Sequence, residues 1–215
     1  MPRSNIQLGG QELKLDADAD TSITVDTDDQ IDIKIAGSDK LKIDASSHLV
    51  TTTAGTSNFV LGLNAGNSIL DGGNYNVALG DEAGTAITTG DENVCIGYQA
   101  GDAITTGTQN VAIGSKAMTT EDENHYNVAI GREALQTLNG GDYNVAVGRT
   151  AGKSVTTGYA NVLLGGNCAD ALTTGFNNVA IGKDALGAED TGRKNVAIDV
   201  PVIARNGVLG PDKTL

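Results

Sequence analysis

From Asn5 to about residue 50, apolar and polar side chains alternate along the chain. Ile6 and Leu8, Leu13 and Leu15, Ile23 and Val25, Ile31, Ile33 and Ile35, and then Leu41 and Ile43 recur at period two. That period predicts five short strands, each with one apolar and one polar face. Turn-forming residues separate them: Gly9-Gly10, Asp26-Thr27-Asp28-Asp29 and Gly37-Ser38-Asp39. No segment shows the helical period. A second pattern begins at Asn58. The pentapeptide Asn-Val-Ala-Ile-Gly and its variants start at Asn58, Asn76, Asn93, Asn110, Asn127, Asn144, Asn161, Asn178 and Asn195. The first step is 18 residues and the next seven are 17. A fixed short period predicts repeated supersecondary units stacked on one another. The chain therefore divides into an N-terminal β-rich segment (1–50), a Ser/Thr/Gly-rich junction (51–57), a repeat domain (58–199) and a C-terminal cap or docking tail (200–215).

The unit can be written position by position. Asn is first, Val second, Ala third, Ile or Leu fourth and Gly fifth. Ala stands at eight, an aliphatic at twelve, Thr-Thr at thirteen and fourteen, and Gly at fifteen, as in the copy running from Asn93 to Gln109. Two β-branched stretches, each closed by Gly, predict two strands and two turns per coil. Stacking pairs each strand with its equivalent one unit on. The column Asn76, Asn93, Asn110, Asn127, Asn144, Asn161, Asn178 and Asn195 then becomes a structural ladder of side chains hydrogen-bonded along the stack. Two units break the pattern, with Glu121-Asp122-Glu123 and Glu189-Asp190 where the second stretch should be. Those acidic turns are expected to bulge outward. At Asp199 the glycine of position five is missing, and Pro201 and Pro211 cannot continue a ladder.

The faces of the Val-Ala-Ile strand carry a quaternary argument. Positions two and four point one way and position three the other, yet both sets are apolar. A flattened coil has one inside, so the other face needs a cover, and identical partners in closed cyclic symmetry supply it. The expectation is a homotrimer, with a dimer as the lesser alternative. The N-terminal strands have one apolar stripe each and no aromatic filler. They are expected to intertwine with other copies of the same segment.

Composition agrees with a thin solenoid. Of 215 residues, 39% are apolar and 3% aromatic, with no Trp and 29 Gly; a thick core usually takes about 45–50% apolar residues. The net charge of −13, with no Lys/Arg cluster, excludes nucleic acid as a partner. No run of 18 apolar residues occurs, so no membrane insertion is expected, and Met1-Pro2-Arg3-Ser4-Asn5 lacks an apolar signal region. Cys95 and Cys168 fall four coils apart, roughly 19 Å at strand spacing, too far for a disulfide within the chain. Asp16, Asp18 and Asp20 invite a calcium site, but Thr21 and Thr27 stand where an EF-hand needs glycine and glutamate. No metal, cofactor or catalytic residue is expected. His48 and His125 lie apart without a nucleophile motif, and coils of 17 do not fit the 18-residue coils of left-handed β-helix acyltransferases. One feature invites a binding role. Tyr75, Tyr126 and Tyr143 occupy position seventeen, and Tyr159 and Phe176 position sixteen, a candidate stacking ridge for host surface glycans.

Two resemblances bear on function. Residues 26–37 with Leu41-Lys42-Ile43 resemble β-rich segments of bacteriophage tail-fibre and other virion proteins. The Val-Ala-Ile-Gly-x-x-Ala repeat across residues 58–199 resembles the β-roll head of trimeric autotransporter adhesins, although those heads use shorter repeats. Similar repeats occur in tail fibres of environmental phages. The resemblance implies an all-β, parallel β-roll (β-solenoid) of 17-residue repeats in a homotrimeric virion fibre. Such a rod would be made in the host cytoplasm and attached to other virion proteins, tail or head, by one terminus. It would contact a host surface glycan or protein. The alternatives are a purely structural particle component, such as a head fibre or connector, and a cell-surface adhesin head.

Overall fold

A computed structural model describes residues 13–14, 21–25, 31–35, 38–43, 49–51, 54–120, 123–188 and 190–199. The chain divides between Thr53 and Ala54 into two units. The expectations for Ile6–Leu8, for Asp16, Asp18 and Asp20, for His48, for the acidic residues 121, 122 and 189, and for the tail 200–215 lie outside the described residues. Among those residues no helix is long and apolar enough to cross a membrane.

The first unit holds an antiparallel sheet of β1 (Leu13–Lys14), β2 (Ser22–Val25), β3 (Ile31–Ile35), β4 (Ser38–Ile43) and β5 (Leu49–Thr51), paired in chain order. Ile23 pairs with Ile33 and Ile31 with Ile43, so the alternating stripes meet across the ladder. The register shifts between Ile33 and Lys34. Two boundaries correct the sequence reading. Ser38 and Asp39 belong to β4 rather than to the preceding turn. The fifth described strand is Leu49–Thr51, which reaches into the segment expected to be the junction. Its Ser/Thr surroundings look like linker, but Leu-Val-Thr is β-branched enough to pair, with Lys42 opposite Val50.

The second unit is a parallel roll. Nine three-residue strands, β6 (Phe59–Leu61), β7 (Val77–Leu79), β8 (Val94–Ile96), β9 (Val111–Ile113), β10 (Val128–Ile130), β11 (Val145–Val147), β12 (Val162–Leu164), β13 (Val179–Ile181) and β14 (Val196–Ile198), form one sheet in chain order. Every pairing is in register, as in Val128↔Val145, Ala129↔Ala146 and Ile130↔Val147. Strand follows strand with a whole coil between them, so the period is the coil.

Each coil contains one strand, not two. The second β-branched stretch is a bend that keeps a single cross-coil backbone bond at position thirteen, for example from Thr88 N–H to Thr105 C=O at 2.9 Å. The cause is the turn chemistry. Besides glycine at position five, the residues at seven, nine and seventeen sit in the left-handed region, with φ between 46° and 62° for the non-glycines. Gln99, Leu135 and Tyr143 are examples. So many reversals leave no room for a second extended run.

The core is narrow. Position three, the smallest member of the strand, points inward: Ala78, Cys95, Ala112, Ala129, Ala146, Leu163 and Ala180 are buried. Position eight adds Ala83, Ala100, Ala117, Ala134, Ala151, Cys168 and Ala185, and position twelve adds Ile87, Ile104, Leu138, Val155 and Leu172. The larger Val and Ile of positions two and four point outward. They are half-buried or exposed in every strand.

Candidate functional site

The asparagine of position one opens each strand and is buried from Asn58 to Asn178. Its side chain closes its own coil and joins it to the one before. Nδ2 of Asn144 donates to Gly158 C=O of the same coil at 2.9 Å and to Oδ1 of Asn127 at 3.2 Å. The backbone N–H of Asn144 also donates to that Oδ1, at 2.8 Å. The backbone-to-Oδ1 bond recurs from Asn76 through Asn195. A short amide at this place satisfies two backbone groups, a C=O of its own coil and the N–H of the next asparagine, that a tight coil cannot pair by itself.

Positions sixteen and seventeen, just before the ladder, carry the aromatic rings. Position-sixteen side chains help join coils: Asp142 Oδ1 accepts from His125 N–H at 2.8 Å, and His125 Nδ1 accepts from Thr108 N–H at 3.1 Å. His125 is therefore held in a structural bond.

The five predicted ridge residues are not continuous. Tyr126 and Tyr143 stack at 4.9 Å between centroids with planes 4° apart. Tyr159 and Phe176 stack at 4.8 Å and 4° in the neighbouring column. Tyr75 stands apart, because Glu92 and Gln109 fill position seventeen in the coils between it and Tyr126. The rings are wet: Tyr126 is 46% exposed, Tyr143 60% and Tyr159 44%. Arg193 lies over Phe176, 5.9 Å from its centroid, and extends the second stack. Sequence reading by residue type passed over Arg193. Lining up position sixteen column by column would have found it.

Reactive groups are muted. Cys95 and Cys168 are free and buried. Burial, reinforced by the nearby charge of Asp102, pushes the Cys95 thiol up to about 12. Burial likewise pushes Cys168 up to about 11, and its thiol donates to Ala180 C=O at 3.2 Å. Neither is a thiolate at neutral pH. Asp102, unremarked in the sequence, has its carboxyl pushed up to about 6 by burial. Glu133 is held by Arg132 at 2.6 Å and Lys153 at 2.8 Å. Among the described residues no three His, Cys, Asp or Glu side chains are grouped to hold a metal ion.

No protein-family model matches the chain, and no curated protein or solved structure matches it either. The arrangement itself offers two surfaces for contact: the outward aliphatic rows of the sheet and the stacked rings beside them.

Proposed function

We propose that this chain is a fibre protein of a virus particle, resembling bacteriophage tail fibres, and that its roll assembles side by side with two identical copies. Its work is mechanical and adhesive: a stiff rod that carries a contact surface to the host. No chemistry is assigned to it.

The observation that supports this reading is the outer face of the parallel sheet. Positions two and four place two apolar side chains per coil on the outside, from Phe59 and Leu61 to Val196 and Ile198. Leu61 is 66% exposed, Val196 56% and Ile198 52%. Nine strands at about 4.8 Å and three residues at about 3.3 Å make a strip of roughly 400 Å². That is within the range of about 300–600 Å² for the largest apolar patch of a typical monomer, a patch that often marks an interaction surface. The strip runs parallel to the stacking axis, so copies packed on it form a rod. Closed cyclic symmetry limits the number of copies, and the repeat's resemblance to trimeric adhesin heads favours three.

Light scattering on the purified full chain tests the assembly. The expected mass is three times 21.9 kDa. Replacing Ile113 and Ile130 together by Glu should reduce it to one chain while β-type circular dichroism persists, because both side chains point out of the coil. A wild-type chain that is folded and monomeric would overturn the reading. The particle assignment is checked separately, by detecting the protein in purified virions.

A further inference from the structure

We propose that the roll binds a neutral sugar ring on the free face of Tyr143, in a gap that Ala160 leaves in the column of position seventeen. The proposal deepens the fibre reading, on which it rests only for where such a sugar would come from, namely the host surface.

Position seventeen reads Tyr75, Glu92, Gln109, Tyr126, Tyr143, Ala160, Asn177 and Lys194 in successive coils. Two pairs of neighbours in this column touch. Gln109 Nε2 donates to Glu92 Oε2 at 2.9 Å, and Tyr126 stacks on Tyr143 at 4.9 Å. At Ala160 the column loses its side chain beyond Cβ. The backbone there is unchanged: φ is 53°, against 59° at Tyr143 and 56° at Asn177, and Ala160 N–H donates to Asp142 C=O at 2.9 Å. The gap is therefore a missing side chain within a regular coil. Tyr143, beside it, is 60% exposed against 46% for its stacking partner.

The surroundings define a ligand. Tyr143 is the floor, and Asn177, exposed in the next coil but one, stands opposite. Tyr159 is the neighbour of Ala160 in the same coil. It stacks away from the gap onto Phe176, which Arg193 covers in turn. From the Tyr143 level to the Asn177 level is two strand spacings, about 9.6 Å. A flat ring with carbon contacts of about 3.5–4.0 Å on each face fills about 7–8 Å of this. A puckered pyranose, thicker by its axial hydrogens, fills the remainder. Its C–H groups carry slight positive charge and suit the negative face of the Tyr143 ring. Its hydroxyls can pair with the Asn177 amide. Nucleotides and acidic sugars are disfavoured by the chain's net charge of −13. A seam between copies on positions two and four leaves this column at its margin, open to solvent.

Saturation-transfer NMR on the full chain tests the site, with millimolar methyl glycosides of glucose, galactose, mannose, rhamnose and N-acetylglucosamine, and with adenosine as the flat competitor. The expected result is transfer to the ring C–H protons of at least one glycoside. That transfer should fall at least tenfold in Tyr143→Ala and in Ala160→Gln, and be unchanged in Tyr75→Ala. Ala160→Gln refills the gap with the residue found at position 109, so the fold should survive, as an unchanged melting temperature would show. The proposal is overturned by no transfer to any glycoside, by transfer that survives Ala160→Gln, or by stronger transfer to adenosine. A Tyr143→Ala protein whose scattering mass falls would assign the ring to the subunit seam and also overturn it. A wild-type chain that is monomeric yet binds the glycoside would sink the fibre reading and leave this site standing.

Discussion

One carboxylate oxygen of Asp102 is buried without a hydrogen-bond partner, an arrangement that costs most when the group is charged. Burial raises its pKa from 3.8 to about 6; the charge of Glu82 adds to the rise, while its own backbone N–H and Lys116 oppose it. The direction for stability follows from linkage. An acid whose folded pKa lies above its unfolded value keeps its proton longer in the folded state. Its contribution therefore worsens as pH rises from about 4 to about 6, and the penalty persists above that. Asp102→Asn removes the ionisation while keeping the shape. Thermal melts should show the variant more stable than wild type at pH 8, with the advantage shrinking towards nothing near pH 4. An advantage independent of pH would mean that the amide stabilises by new hydrogen bonds instead. The same burial quiets Cys95, so both acidic protons near this part of the core stay on at mildly acidic pH.

At the scale of the coil, stability rests on the asparagine ladder, because a three-residue strand supplies few backbone bonds. Removing the Asn127 side chain leaves Asn144 N–H and Gly141 C=O without the partners they have now, at 2.8 and 2.9 Å. Two buried polar groups left unsatisfied cost about 2–6 kcal/mol. Denaturant unfolding of Asn127→Ala should show that loss. Asn195→Ala, in the half-buried last copy, should lose less than about 1 kcal/mol. Equal losses would show that the ladder is not what joins the coils. The period, the in-register pairing and the asparagine column were legible because each is a statement about identical residues one unit apart. What was not legible concerns volume and backbone hand. Both strand faces are apolar, so pattern alone does not say that alanine turns inward. Thr-Thr at positions thirteen and fourteen reads as strand, although left-handed residues at seven and nine bend the chain there. The irregular units obey a volume rule hidden from pattern. Where position twelve is Glu121 or Glu189, position nine carries Met118 or Leu186, both buried. Where position three enlarges to Cys95 or Leu163, a nearby position nine is glycine: a Cβ on Gly101 would lie 2.5 Å from Cys95 Sγ, and one on Gly152 would lie 2.7 Å from Leu163 Cδ1. The two columns of the ridge, positions sixteen and seventeen, were legible in the sequence, but not which rings stack. The stacking of Tyr126 on Tyr143 and of Tyr159 on Phe176 is a matter of side-chain geometry that the register does not give.

At the scale of the whole roll, the parallel sheet of described strands runs from β6 to β14, and an unpaired edge of such a sheet is a template for another strand. The glycine column shows what stacking a further coil requires. In each coil a Cβ at position five would point at the next coil's backbone: on Gly131 it would lie 2.4 Å from Gly148 C=O, and on Gly165 2.3 Å from Gly182 C=O. Position five must therefore be glycine wherever another coil follows. In the final described coil it is Asp199, with φ of 53°. The glycines at this position have φ of 121–145°, so Asp199 departs from them in backbone as well as in carrying a Cβ and a charged carboxylate. Asp199 thus puts a side chain at the position where the repeat requires glycine for a further in-register coil to stack. Asp199→Gly should permit end-to-end association, seen in sedimentation velocity as larger species that grow with protein concentration. Asp199→Ala keeps the Cβ and should stay at the wild-type size. Association of both variants would make charge, not the Cβ, the block, and association of neither would show that the edge is closed by something other than Asp199.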